Sequence, residues 1–279
     1  MVDSFWQALL LNPFLQTALF AGLSASIAGG IVGPYVVSKR IVFISGSISH
    51  AVLGGIGFFV FLQYITGLSG ISTLLGSILS AIFFAYLIGT IHLKYRQRED
   101  TVIAAIWTVG MSLGVIFIAI VPGSGAQLMD FLFGNLLWAS YQDIYLLLLL
   151  DIVIITTCLI CHRRFLAICF DETQSYLQKQ PVQFLYFLLL TLVAITVVMM
   201  IQVIGAILVI SLLCLPAAIA NHLTTRLSKI IYLSVLLSFI FTFLGIYIAY
   251  TLNWPPGATI ALVITVSYFL SLPLKSQSV

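Results

Sequence analysis

Residues 145–160 read YLLLLLDIVIITTCLI, and this stretch decides the fold class. Asp151 is its only charged residue, and similar apolar runs recur from one end of the chain to the other. The 279 residues are 62% apolar and 7% charged. About 20 apolar residues in a helix cross the roughly 30 Å hydrocarbon layer of a bilayer. The sequence therefore predicts an all-α, polytopic bundle of transmembrane helices, surrounded by membrane lipid.

The apolar runs predict about nine spans in one membrane domain, residues 1–279, because no polar segment is long enough to fold separately. Residues 202–205 are expected to form a tight hairpin. Residues 127–139 form either a short interfacial helix or a re-entrant one. The predicted spans are residues 14–37, 42–64, 72–91, 102–121, 142–161, 184–201, 206–220, 230–250 and 258–272.

The basic residues predict the orientation of the chain. All 11 Lys and Arg fall in one set of loops between the predicted spans or in the C-terminal tail. Because basic residues accumulate in cytoplasmic loops, the N-terminus is expected outside and the C-terminus in the cytoplasm. Lys39 and Arg40 follow the first span, which is the reverse of the order in a cleavable signal peptide. The scattered basic residues do not suggest a nucleic-acid partner.

The longest polar stretch, residues 165–183, lies on the predicted cytoplasmic side. It contains Asp171 and Glu172 between apolar residues, and Pro181 closes it. This pattern predicts a short helix at the membrane face, of the kind that a permease needs to contact a cytoplasmic ATPase. The sequence has no GxxxxGK[ST] phosphate-binding loop, so ATP hydrolysis is not expected in this chain. The energy source is another chain or an ion gradient.

His50 is the first candidate for a residue on the translocation path. It lies inside the second span, in SISHAVLGGIG, and ionisable groups within a membrane usually face a bundle interior or a hydrated cavity. Neutral imidazole is a common ligand of transition metals. Ser47 and Ser49 add hydroxyls, and Gly54 and Gly55 permit close helix packing. The alternative is a histidine that only forms hydrogen bonds between helices.

Asp151 is the second ionisable group within a span. It either pairs with His50 around a cation or is a buried structural acid bonded to a hydroxyl, such as that of Thr156 or Thr157. Pro216, in the seventh predicted span, removes a backbone hydrogen bond and forms either a hinge or a fixed kink.

The remaining histidines and the cysteines suggest less. The three histidines are assigned to cytoplasmic loops and are expected to face solvent or lipid headgroups. Two of the cysteines form a CxxC in an apolar run, where helix packing is the better interpretation. These residues are His92, His162, His222, Cys158 and Cys161.

Five segments together resemble the membrane permeases of the zinc, manganese and iron branch of ABC importers. In chain order they are GPYVVSKRIVFISGSISHAVLGGIG, DTVIAAIWTVGMSLGVIF, LMDFLFGNLL, VIGAILVISLLCLPAAIA and PPGATIAL. The first resembles the family's SHA-x-L-x-G element, the third its LFG element and the fourth its LPAA span. Each is weak alone in so apolar a chain, but five in the family's order are specific.

The resemblance implies an importer built from two permease subunits, two cytoplasmic ATP-binding subunits and an extracytoplasmic metal-binding protein. It also implies that Phe170 and Asp171 open the helix that contacts the ATPase. The sequence departs from the family at Gly46, where an Asp is common. Ser175 and Lys179 replace an Ala and a Gly. These departures are compatible with a heterodimer of two related permeases.

The sequence therefore predicts a transport subunit without its own catalysis and without a tightly bound cofactor, which moves a divalent Zn, Mn or Fe ion into the cytoplasm. One alternative is a proton-coupled secondary metal transporter, in which His50 and Asp151 titrate. No inverted repeat of the kind common in such carriers is detected. A second alternative, a structural membrane scaffold, leaves both residues unexplained.

Overall fold

The structure is a computed structural model that describes residues 5–67, 73–95, 99–134 and 136–274. These residues form α-helices and two short 3-10 helices, Leu136–Trp138 and Leu272–Leu274, with no strand among them. The α-helices are α1 (Phe5–Leu11), α2 (Pro13–Ser38), α3 (Val42–Thr66), α4 (Thr73–Tyr95), α5 (Glu99–Ile120), α6 (Gly125–Phe133), α7 (Tyr141–Phe170), α8 (Glu172–Leu177), α9 (Val182–Ile204), α10 (Ala206–Leu223), α11 (Leu227–Leu252) and α12 (Pro256–Ser271).

Within the described residues, eight helices are long and apolar enough to cross a membrane: α2, α3, α4, α5, α7, α9, α10 and α11. The ninth predicted span corresponds to α12, which is apolar but has only 16 residues. The prediction of a polytopic helical bundle is confirmed. The orientation of the termini stays a prediction, and Asp3, Arg96, Arg98 and Lys275 lie outside the described residues.

The helix that contains the fifth predicted span, residues 142–161, is longer than that span. Helix α7 continues through Arg163 and Arg164 to Phe170 and has 30 residues, which corresponds to about 45 Å. Arg is a good helix former, and its long side chain reaches water from a helix end, so a charged pair does not have to end a helix. The predicted polar segment 165–183 therefore begins inside α7.

The start of the chain also contains a helix that hydropathy did not predict. The seven residues of α1 precede Asn12, whose Oδ1 atom accepts a hydrogen bond from the backbone N–H of Phe14 at 3.0 Å. Pro13 is the first residue of α2. Asn before a helix and Pro at its first position are a favourable start, because Asn caps a free N–H and Pro lacks one.

The described residues divide into two compact units. The first comprises those of Met1–Ser38, Phe133–His162 and Met199–Val279, and the second those of Lys39–Leu132 and Arg163–Val198. In the first unit, α2 packs against α10 and α11, and α12 packs against α10 and α11. The backbones approach closely at Gly30 in α2, where a Cβ atom would lie 2.6 Å from the Cα of Val235 in α11.

In the second unit, α3 packs against both α4 and α5. Gly54 and Gly55 face different neighbours. A Cβ atom on Gly54 would lie 2.8 Å from the carbonyl oxygen of Gly110 in α5, and one on Gly55 would lie 3.2 Å from that of Gly76 in α4. Small residues thus let the central helix approach two partners, as is common between membrane helices.

At the predicted hairpin, residues 202–205, α9 runs to Ile204 and α10 starts at Ala206. Gly205 alone therefore separates the two helices, with φ of 79°. In the ambiguous stretch 127–139, α6 ends at Phe133 and Gly134 follows with φ of 70°. A Cβ atom on Gly205 would lie 2.8 Å from the Cα of Gly134. Both positions need glycine, for conformation and for space.

Candidate translocation site and coupling segment

The imidazole of His50 in α3 stacks on the indole of Trp107 in α5. The ring centroids are 4.4 Å apart and the ring planes differ by 7°. The Nδ1 atom of His50 is buried and has no hydrogen-bond partner among the described residues. Among the described residues, the imidazole is therefore held by an aromatic face, and none of them forms a hydrogen bond with its Nδ1 atom.

The two serines beside His50 are fully buried, and both hydroxyls donate to backbone carbonyls. Ser47 Oγ donates to the carbonyl oxygen of Ile103 in α5 at 3.1 Å, and Ser49 Oγ donates to that of Ser45 in α3 at 2.9 Å. Ser47 thus links two helices, while Ser49 bonds within one turn of its own helix. Their hydroxyl protons are engaged, so the role of either serine as a metal ligand stays a prediction.

Space is open one turn before His50. A Cβ atom added to Gly46 would meet no heavy atom within 4 Å. Residues four apart in a helix lie on the same face, so Gly46 and His50 share one side of α3. This is the position at which the resemblance leads one to expect an Asp.

Asp151 lies in the first unit and is 3% exposed. Ser24 Oγ in α2 donates to its Oδ2 atom at 2.5 Å, and the Oδ1 atom is buried without a hydrogen-bond partner among the described residues. The hydroxyl partner is therefore Ser24 and not Thr156, whose Oγ1 donates to the carbonyl oxygen of Ile152 in the preceding turn. Since His50 belongs to the second unit, pairing between it and Asp151 stays a prediction.

His162 was assigned to a loop, but it lies within α7. Its Nδ1 atom is 2.7 Å from the Tyr35 hydroxyl in α2, and its Nε2 atom is 3.1 Å from the Ser228 hydroxyl in α11. Tyr35 also forms a hydrogen bond with Cys158. The pattern of apolar runs could not show this, because the partners are 127 and 66 residues away in the chain.

The other two histidines also lie in helices, in the last turns of α4 and α10, because polar residues at a helix end can stay helical and reach partners there. His92 contacts the ring of Tyr186, with centroids 5.8 Å apart, and His222 Nδ1 is 3.3 Å from Ser271 Oγ. The assignment of all three histidines to loops was wrong. Cys158 and Cys161 are free thiols in α7.

The segment after α7 contains a short helix with a complete cap at each end. Asp171 is the N-cap of α8, and its Oδ1 atom accepts a hydrogen bond from the backbone N–H of Gln174 at 2.8 Å. At the other end, the N–H of Lys179 donates to Tyr176 and that of Gln180 to Ser175, at 2.9 and 3.1 Å. Lys179 has φ of 58°, and together these features form a Schellman motif.

Phe170 is the last residue of α7 and does not begin α8. Glu172 forms an ion pair with Lys39, whose Nζ atom also donates to the carbonyl oxygen of Ile168 at 2.9 Å. Three large apolar side chains around α8 are 66%, 74% and 76% exposed. They are Phe170, Tyr176 and Leu177. A groove of about 760 Å³, lined by Leu93, Thr173, Tyr176, Gln180, Pro181 and Phe184, adjoins them.

Residues 12–275 match the model of the ABC 3 transport family. The chain belongs to the ABC 3 transport family. As a member of this ABC family it is a multi-pass permease subunit of a bacterial plasma membrane and not an enzyme, and the ATPase of such systems is a separate subunit. The recognition made from the five segments is confirmed.

Named relatives of this ABC 3 chain include a probable metal transport system membrane protein of Chlamydia pneumoniae, 49% identical over 99% of this chain and 92% of that protein. The manganese transport system membrane protein MntC of Listeria monocytogenes is 30% identical over 96% and 92% of the two chains. The solved structure of PsaBC from Streptococcus pneumoniae in complex with Fab superposes with a TM-score of 0.84 at 29% identity, covering 97% and 95% of the chains.

The contacts missed from the sequence are the stacking of Trp107 on His50, the hydrogen bond from Ser24 to Asp151 and the network around His162. The position of Trp107 could have marked it as a candidate, because tryptophan favours the membrane–water interface and this one lies inside a predicted span. Ser24 and Tyr35 carried none, because isolated hydroxyls are common in membrane helices.

Proposed function

We propose that this chain is the permease that carries a divalent transition-metal ion, of the manganese and zinc class, into the cytoplasm. The observation that carries the proposal is His50: a partly exposed imidazole inside an apolar helix, with no hydrogen bond to the described residues. An imidazole without such a bond is free to bind a metal ion through a lone pair. The names of the relatives in Chlamydia pneumoniae and Listeria monocytogenes support a metal cargo.

The proposed ligand set of this chain is small: His50, with Ser47, Ser49 and Asp151 as weaker candidates. A transported ion must leave as well as enter, so weak binding by few ligands suits transport better than a closed site. We further propose that a second permease copy, identical or related, completes the pathway. An extracytoplasmic metal-binding protein then delivers the ion.

The segment 165–183 is proposed to contact the ATP-binding subunit through the exposed side chains of Phe170, Tyr176 and Leu177. The ion pair between Lys39 and Glu172 would then hold α8 to the rest of the second unit while these apolar residues face the partner. Pro216 is proposed as a hinge or kink in α10, where it is buried within a continuous helix.

The deciding experiment measures Mn²⁺ and Zn²⁺ uptake by proteoliposomes that hold the complete complex, with ATP enclosed on the ATPase side. Uptake should require ATP and should persist when a protonophore collapses the proton gradient. Uptake that needs a proton gradient and not ATP would favour a proton-coupled secondary transporter. If neither Mn²⁺ nor Zn²⁺ is taken up in the presence of ATP, the proposed cargo is overturned.

The proposed contact with the ATPase is tested by changing the charge at Asp171. Asp171→Arg removes the cap of α8 and reverses the charge, so a matched control is needed. Asp171→Asn keeps a good N-cap and loses only the charge. If the charge matters for contact, both variants reduce ATP-driven uptake and Asp171→Arg reduces it most. Normal uptake and assembly in both would exclude a role for this charge in coupling.

The proposed orientation is tested by single cysteines in a variant without the native ones. A cysteine at Asn253, between α11 and α12, should react with an impermeant reagent from outside. One at Thr225, between α10 and α11, should not. Labelling of both from the same side would contradict the proposed arrangement.

A further inference from the structure

The indole of Trp107 is the only described aromatic group stacked on the imidazole of His50. We propose that Trp107 is a positioning residue for metal transfer: it fixes the plane of the imidazole and so the direction in which a ring nitrogen meets the ion. This inference rests on the proposed function, because it assumes that His50 meets the metal.

The first argument is a missing hydrogen bond. A histidine that binds metal through one nitrogen usually donates the N–H of the other to a carboxylate, a carbonyl or water, and that bond orients the ring. Here the Nδ1 atom of His50 is buried and has no partner among the described residues. No described residue therefore supplies the usual orienting hydrogen bond at Nδ1, and the parallel indole, 4.4 Å away, limits rotation of the ring.

The second argument is that the surrounding helices hold the stack in register. On one side, the hydroxyl of Ser47, one turn before His50, bonds to the carbonyl of Ile103, one turn before Trp107. On the other side, Gly54, one turn after His50, packs on Gly110, one turn after Trp107. With a direct contact on each side of the ring pair, α3 and α5 cannot slide by a turn without losing the stack.

The indole of Trp107 is itself oriented by a hydrogen bond, but it supplies no ligand atom for a metal ion. Its Nε1–H group donates toward the sulfur of Met111, one turn along α5, at 3.0 Å. An indole N–H is a donor only and does not bind a cation. The face of the ring, however, attracts positive charge, so it also favours an imidazole that carries a bound metal ion. The contribution of Trp107 is therefore geometric and electrostatic and acts through His50.

The kinetic test compares three variants in the proteoliposome assay, each normalised to the amount of permease. Trp107→Leu should raise the KM for Mn²⁺ or Zn²⁺ by about two- to tenfold, the range expected for loss of one aromatic pair. Trp107→Phe keeps a flat ring and should recover most of the loss. Trp138→Leu, the same change at a tryptophan that is 71% exposed and remote in sequence, should leave the KM unchanged.

A spectroscopic test needs no transport. The chain has four tryptophans, so replacing Trp6, Trp138 and Trp254 with Phe leaves Trp107 as the only one. In the complete complex, the emission of Trp107 is the difference between this variant and one that also carries Trp107→Phe. Mn²⁺ or Zn²⁺ should change that difference in a saturable way, because an ion on His50 alters the ring stacked on it. The change should disappear in His50→Gln.

The outcomes separate the two proposals. A raised KM in Trp107→Leu with recovery in Trp107→Phe supports positioning. If His50→Ala loses uptake while Trp107→Leu keeps the normal KM, the positioning role is overturned and the role of His50 stands. Equal loss in Trp107→Leu and Trp107→Phe without an emission change assigns Trp107 to packing alone and also overturns positioning. Normal uptake in both His50→Ala and Trp107→Leu overturns both proposals.

Discussion

Two histidines in long apolar helices have opposite surroundings. His162 has a hydroxyl at each ring nitrogen, 2.7 Å away at Tyr35 and 3.1 Å away at Ser228. His50 has a stacked indole, a buried Nδ1 atom without a partner among the described residues, and open space beside it at Gly46. An imidazole whose two nitrogens both have hydrogen-bond partners must give up one of these bonds before it can bind an ion. The comparison therefore supports the proposed role of His50 in transport and favours a structural role for His162.

The same comparison shows why burial alone does not identify a functional residue within a membrane. Leaving a polar atom unpaired in an apolar environment costs free energy, so most such atoms find partners. A residue that keeps an unpaired atom is held there by its surroundings, and such a residue is a better candidate for ligand binding. The following predictions test this distinction, starting with the largest expected effect.

The largest effect is expected at His50. His50→Ala should reduce metal uptake to near background, because the path loses its only described imidazole in α3. His50→Gln keeps size and some hydrogen bonding but is a poorer metal ligand, so it should stay defective. The measurement is uptake of Mn²⁺ or Zn²⁺ per permease in the membrane.

His162→Ala is the matched control for that prediction, since it removes the same side chain from another long helix. It should keep most uptake per folded protein while lowering thermal stability. Near-normal uptake in His50→Gln would leave His50 with a packing role only. Complete loss in His162→Ala, with normal protein levels, would remove the contrast between the two histidines.

Gly46→Asp should alter metal preference by several-fold without blocking assembly. The added Cβ atom meets no heavy atom within 4 Å, and the carboxylate would share a helix face with His50. Oxygen ligands favour Mn²⁺ over softer-binding ions, so the ratio of Mn²⁺ to Zn²⁺ uptake should rise. Competition between the two ions measures the ratio, and Gly46→Asn, which adds no charge, is the control. An unchanged ratio would place Gly46 away from the ion.

Tyr35→Phe should affect stability and not transport. It removes the hydroxyl bonded to His162 and keeps the buried ring, so the expected loss is about 1 kcal/mol, the net contribution of one hydrogen bond. For a protein of this size that corresponds to a fall in Tm of about 2–4 °C. Thermal unfolding in detergent tests this, with uptake expected within about twofold of wild type. A large loss of uptake at normal stability would indicate that Tyr35 serves the path.

The smallest effect is expected at Ser49. Its hydroxyl donates within its own helix at 2.9 Å, whereas that of Ser47 crosses to α5 at 3.1 Å. Ser49→Ala should therefore leave Tm nearly unchanged and, because Ser49 is only a weaker candidate ligand, lower uptake only slightly. Ser47→Ala should lower Tm by an amount similar to Tyr35→Phe. If Ser49→Ala impairs uptake more than Ser47→Ala, the Ser49 oxygen is a ligand and the serines must be reassigned.

Much of the fold could be predicted because apolar run length and helix formation are local properties. The sequence located α2 to α5 and α9 to α11 closely. It did not show how far α7 continues past the predicted span. Hydropathy measures solubility in lipid, and a helix can continue beyond the hydrocarbon layer. It missed α1, whose seven residues are too few for a span.

The two departures in the segment 165–183 are smaller than they looked in the sequence. Ser175 is 2% exposed, close to the volume of an Ala, and its hydroxyl bonds to the carbonyl of Asp171 at 2.8 Å. Lys179 takes the left-handed conformation with φ of 58°, which explains why glycine is expected there. Whether the second permease copy is identical or related stays a prediction.

The candidate site was only partly predictable. His50 was identified from its position alone, because one ionisable residue in an apolar run is a local signal. Its partner Trp107 is 57 positions further along and depends on how α3 and α5 pack. Without that contact, the sequence offered Ser47 and Ser49 as the neighbours of the imidazole. Polar composition near a residue in the chain does not show what touches its ring.

The pair of glycines at Gly134 and Gly205 limits how the protein can change over evolution. Each has a positive φ, and each occupies the space that a side chain on the other would need. A library that substitutes every residue in turn should recover almost nothing but glycine at either position, and no second change at the other should rescue it. The turn after α6 and the turn before α10 are thus expected to be inherited together, while the surrounding apolar residues exchange freely.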